Sequence, residues 1–171
     1  MQYMTKYQSP LGMMVLAADE EGLVGLWFEG QKYFGRGLLD DAVENDTEVL
    51  KQSKSWLDLY FTGQNPSFMP PLHLIGSDFQ LRVWHKLQEI PYGSLTTYGD
   101  IAKQIAKEEG KTSMSAQAVG WAVGHNPISV IVPCHRVVGS KGQLTGYAGG
   151  IDKKRRLLEM EGALSETTYG R

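Results

Sequence analysis

The sequence predicts an α+β fold in two parts: an N-terminal three-stranded antiparallel sheet with a helix, then a mostly helical, winged-helix-like domain built on a helix-turn-helix. Three observations lead there. Apolar–polar alternation is confined to the first thirty residues, a proline-rich break occupies 65–77, and helical periodicity opened by cap residues follows it. The expected boundaries are 1–75 for the first part, 78–165 for the second and 166–171 for a tail.

Each element has its own reason. Residues 3–7, 13–17 and 23–28 alternate with the period of two that half-buried strands require, and SPLG and DEEG between them are tight-turn sequences. Within 46–61, Val49, Leu50, Leu57 and Tyr60 recur at roughly helical spacing, with Gly63 as a stop. NPSFMPPLHLIGS then links rather than packs. Ser77 or Asp78 caps a helix that presents Phe79, Val83, Leu87 and Ile90 on one face and ends at Pro91. Thr97, with Asp100 three residues on, resembles a capping box and opens a helix to about Lys107. After the polar turn KEEGKTSMS, Ser115 caps the short helix AQAVGWAV. The pair outlines a helix-turn-helix whose turn is longer than the usual three or four residues. The β-branched run 128–132 predicts a buried strand leading into Pro133 and Cys134. GYAGG predicts a loop, and 151–160 a last helix with Leu157 and Leu158 inward and KKRR along its exposed side.

Composition narrows the function. In 171 residues, 42% hydrophobic and 21% charged content belongs to a globular chain, not a disordered one. No apolar run reaches the roughly 18 residues that a membrane span needs. MQYMTKYQSPLG lacks the basic-then-apolar plan of a secretory signal. A single cysteine excludes an intrachain disulfide and a cysteine-based zinc site, so a reducing cytoplasm is the expected compartment. Charge is uneven: residues 1–79 carry five Lys/Arg against eleven Asp/Glu, while 80–160 carry eleven against six. The split suits a second half that meets a polyanion, or is chance scatter of solvated charges; charge alone does not choose between them.

The lone cysteine lies in IVPCHRVVGS. An isolated cysteine is most often a small buried hydrophobe. Here Pro133 stiffens the approach, His135 and Arg136 favour a thiolate, and the small residues at 146–150 allow a ligand close to the backbone. Adjacent side chains diverge on a strand or a helix, so Cys134 and His135 do not readily touch; a bridging water or a sharp bend has to join them. Glu161 is a candidate to orient the histidine. With no second thiol, the sulfur either hands an acquired group to water or keeps it.

PCHRV at 133–137, preceded by GHNPI at 124–128 and followed by GYAGG at 146–150 and Glu161-Gly162, resembles the O6-alkylguanine-DNA alkyltransferases, the methylated-DNA–protein-cysteine methyltransferases. The resemblance runs from about Phe79 to Gly162 and is looser over 1–75. It implies a DNA repair protein that flips an O6-alkylguanine out of double-stranded DNA and moves the alkyl group irreversibly to its own cysteine. O4-alkylthymine is a second substrate that it allows. Cys134 then matches the nucleophile, His135 the water-mediated base, Glu161 its carboxylate partner, Asn126 the brace of the preceding turn and Tyr98 the hydroxyl that assists at guanine N3. Val137, Tyr147 and Ala148 match the guanine pocket. Ser115, Ala116, Gln117, Ala118 and Gly120 match the small-faced helix laid in the minor groove, with Arg136 a further DNA contact. No cofactor or metal is implied, and a monomer is expected. The chain departs from the family at Gln117, where many relatives have arginine, and in the longer KEEGKTSMS connection. Three other readings stay open: a lesion-binding module, motivated by Gln117; a cysteine hydrolase resting on the Cys134-His135 pair alone; and a purely transcriptional helix-turn-helix, which leaves the cysteine motif unexplained.

Overall fold

A computed structural model describes residues 1–164; the expected tail, 166–171, lies outside the described residues. Two compact units form: Met1–Ile75 with Pro127–Ser129, and Gly76–Asn126 with the residues from Val130 onward.

The first unit is an antiparallel meander of β1 (Tyr3–Ser9), β2 (Gly12–Ala18) and β3 (Leu23–Phe28), crossed by α1 (Glu48–Phe61). Alternation sets its two faces. Val15, Ala17, Val24 and Trp27 form one buried cluster, joined by Met4 and Leu38. Tyr7, the cross-strand partner of Met14, lies toward α1, where its hydroxyl donates to Asp58 at 2.7 Å. Thr47 caps α1. The sheet has four strands, not the expected three: β4 (Val43–Glu44) pairs parallel to β1, giving the order β3-β2-β1-β4. Two exposed residues at a sheet edge carry no alternation from which to predict a strand.

The second unit contains α2 (Asp78–Gln88), β5 (Thr96–Thr97), α3 (Tyr98–Glu108), α4 (Ala116–Gly124), β6 (Val137–Val138) and α5 (Ile151–Met160). Its helix starts follow the cap chemistry. Ser77 and Gln80 complete a capping box at α2, the Thr97 hydroxyl accepts from the Asp100 N–H, and that of Ser115 from the Ala118 N–H. β5 and β6 form a two-stranded parallel pair. Residues 128–132, aliphatic except for Ser129, are buried, but they do not form a strand. Ile128 makes one bridge to Leu26, after which the backbone turns, with Val130 at φ +70. A β-branched residue in the left-handed region is strained, so surrounding contacts impose this turn against local preference. Among the described residues, no helix is long and apolar enough to cross a membrane.

Candidate active site

Cys134 opens a short 3-10 helix, Cys134–Arg136, and its thiol is buried at 6% exposure. The turn is closed by backbone bonds from Cys134 N–H to Val132 O (2.8 Å) and from Arg136 N–H to Pro133 O (3.0 Å). Asn126, at the end of α4, donates Nδ2 to the same Val132 carbonyl at 2.8 Å. That bond folds 126–132 back on itself, which is why the run does not extend as a strand. Burial pushes the Cys134 thiol up, while the hydrogen bond of Asn126 and the charge of Lys154 pull the other way.

The residue after the cysteine in this tight turn, His135, reaches Glu161. The fully buried imidazole meets the carboxylate through Nε2 and Oε2 at 2.7 Å. Burial would raise the Glu161 carboxyl, but the hydrogen bond from His135 and the hydrogen bonds and charge of Arg136 outweigh it and hold the group at about 2. Burial also lowers the His135 pKa, favouring a neutral ring. A carboxylate only accepts, so Nε2 carries the ring proton and Nδ1 is left in its acceptor form.

Arg136 departs from expectation. Instead of reaching outward to DNA, its guanidinium is buried: Nε and Nη2 donate to the two Glu161 oxygens at 2.8 and 3.2 Å, and Nη1 donates to Ile90 O at 2.7 Å. A fork of donors satisfied this way is an internal brace, not a phosphate contact. The Gly93 N–H also donates to Glu161, at 3.2 Å.

Lys154 was hidden by the expectation that KKRR lies along the exposed side. It is fully buried and donates Nζ to Thr145 O (2.8 Å) and Gly146 O (3.2 Å). Burial lowers its pKa to about 8, partly opposed by the charge of Cys134. The signal was present in the spacing. Lys154, Leu157, Leu158 and Glu161 fall at i, i+3, i+4 and i+7, one face of α5. Tyr98, first residue of α3, donates its hydroxyl to the same Thr145 carbonyl at 3.0 Å, with Lys154 Nζ 5.9 Å from its ring centroid.

Of the remaining expected residues, Val137 is buried in β6 against β5, and Tyr147 and Ala148 are half-buried in the turn before α5. On α4, Ser115, Ala116 and Gln117 are exposed, and Ala118 and Gly120 are half-buried. A Cβ at Gly120 would stand 3.7 Å from the Tyr98 ring, an ordinary contact, so there is room for a methyl group where α4 passes α3. The structure thus gathers Cys134, His135, Glu161 and Asn126 at one turn, with Tyr98 joined through Thr145 and Lys154.

A single buried thiol beside an ordered His–Glu pair, in a unit carrying a helix-turn-helix, defines a class: thiol chemistry placed on a DNA-binding scaffold. Comparison with known proteins narrows it. Residues 78–163 match the family profile described as 6-O-methylguanine DNA methyltransferase, DNA binding domain, and residues 2–74 its ribonuclease-like domain. The chain belongs to this family. It is 44% identical over 162 residues to a methylated-DNA–protein-cysteine methyltransferase of Methanosarcina acetivorans, covering 94% of this chain and 99% of that one. It is 54% identical over 153 residues to the protein of that name from Mycobacterium bovis, covering 90% and 88%. A crystal structure of Mycobacterium tuberculosis OGT in complex with DNA superposes with a TM-score of 0.81 at 40% identity, covering 97% of this chain and 98% of that one.

Proposed function

We propose that this protein is a single-turnover DNA repair alkyltransferase that takes the alkyl group from O6-alkylguanine in duplex DNA onto Cys134. The thiol proton passes through a water to Nδ1 of His135, and Glu161 stabilises the imidazolium that forms. The sulfur then attacks the alkyl carbon; the S–C bond forms as the C–O6 bond breaks, and guanine leaves with the electron pair. Tyr98 supplies a proton to guanine N3, which requires its hydroxyl to exchange Thr145 O for the base. Asn126 holds the turn that presents the sulfur, and Val137, Tyr147 and Ala148 line the space for the purine. Ser115, Ala116, Gln117, Ala118 and Gly120 form the face of α4 that lies in the minor groove while the base is extruded, a step that costs a few kcal/mol. Residues 1–75 support the transferase domain, and the protein works as a monomer in the cytoplasm, where the thiol stays reduced.

One observation carries this reading: the His135–Glu161 pair leaves Nδ1 as a proton acceptor within the same turn as the chain's one thiol. The test is a mass measurement after incubation with duplex containing O6-methylguanine. One methyl group appears on the intact wild type and none on Cys134→Ser. Tight binding with no gain in mass would instead identify a lesion-binding module, and repeated turnover of an ester a hydrolase.

A further inference from the structure

Trp121 lies on α4 and has no part in the chemistry above. Its indole is 54% exposed, whereas Trp27, Trp56 and Trp84 are buried. Every other large hydrophobic side chain exposed among the described residues belongs to the first unit; in the second, Trp121 stands alone. It is also held in place. The His125 ring packs against the indole with centroids 4.1 Å apart, and His125 Nδ1 bonds to the Trp121 carbonyl at 2.6 Å. An exposed aromatic fixed in advance loses little freedom on binding, which is how a contact residue is built.

Its direction identifies the partner. Val119, Ala122 and Val123 bury the inner face of α4. At about 100° per residue, Gln117 and Trp121 stand about 40° apart on the opposite side, with about 6 Å between them along the axis. The helix AQAVGWAVG has no acidic side chain, and Lys103, Lys107 and Lys111 line a hollow with Ala116 at its start. A cationic border with a neutral, small-residue centre suits a nucleic-acid groove. Gln117 brings an uncharged amide there, with no broad flat surface.

The geometry points to Trp121 as a DNA contact: its indole lies against the sugars and base edges of the groove one helical turn from Gln117, and supplies the apolar surface that steadies the opened stack. This inference rests on α4 being the DNA-facing helix of the proposed transferase.

The experiment compares wild type, Trp121→Phe and Trp121→Ala by anisotropy on duplex containing O6-methylguanine across a salt series, with unfolding midpoints measured alongside. Trp121→Ala weakens binding about tenfold; Trp121→Phe keeps most of the affinity, and the salt slope stays unchanged because no phosphate contact is lost. Duplex also shifts the long-wavelength tryptophan emission of the wild type, which Trp121 dominates. Affinity of Trp121→Ala within twofold of wild type overturns the inference, as does a changed salt slope. So does self-association of the wild type that Trp121→Ala abolishes, which would make the indole a contact between copies. Failure of the wild type to gain a methyl group removes the transfer reading instead, since Trp121 is judged on affinity and not on mass.

Discussion

The two units bury different kinds of polar group. In the first, the buried polar side chains are Gln2, Thr5, Ser9, Gln31, Ser53 and Ser129, all neutral. In the second they are Asn126, His135, Arg136, Lys154 and Glu161, four of them ionisable, around a buried thiol. A neutral group needs only a hydrogen bond to be tolerated inside, whereas a charge needs a partner and still bears a desolvation cost. The first unit uses polarity to fix its turns: Gln31, for example, accepts from the Phe28 N–H at 2.8 Å. The second accepts a destabilising concentration of charge in one place, as a proton-handling site requires.

That contrast breaks most visibly at Glu161. Glu161→Ala strands Arg136 and His135 inside and lowers unfolding free energy by about 3–5 kcal/mol, against about 1–3 kcal/mol for Gln31→Ala, both read from urea denaturation. Equal losses would erase the distinction. Acid gives the next effect. The Glu161 carboxyl titrates at about 2 in the fold against 4.5 outside it, so its stabilisation is complete above 4.5 and is lost as pH falls from there toward 2. His135, lowered by burial, acts in the same direction from a higher pH, because the unfolded chain takes up its proton first, near 6.5. Thermal melts of Glu161→Gln should lose the steep lower part of this dependence.

Lys154→Met removes the cation whose charge lowers the thiol pKa and slows methyl transfer at pH 7 by about tenfold. In the wild type that support fades as pH rises through about 8, where Lys154 loses its charge, so its rate profile bends there and the profile of Lys154→Met does not. The smallest effect has opposite signs in the two measurements. Gly120→Ala places its methyl 3.7 Å from Tyr98, an ordinary contact, and raises helix stability by up to about 1 kcal/mol. The same methyl reduces affinity for duplex if α4 sits in the groove.

Local chemistry made much of this legible. Ser77, Thr97 and Ser115 cap helices as side-chain oxygens before apolar periodicity should, and 151–160 is helical to the residue. What escaped depends on distant partners. The turn at 128–132 is imposed by Asn126 and by the bridge to Leu26, and composition alone argued for a strand. Arg136 read as a DNA contact because an arginine in sequence does not reveal a carboxylate twenty-five positions away. Lys154 escapes notice because the charged run KKRR at 153–156 masks the stripe of Lys154, Leu157, Leu158 and Glu161 to which it belongs.

Glu161 is the point where Gly93, His135 and Arg136 converge, and it is supplied by the last residue turn of α5. During synthesis the thiol, the imidazole and the guanidinium all leave the ribosome before the carboxylate that two of them bind. The buried charge cluster is therefore complete only once the chain through Glu161 has been made.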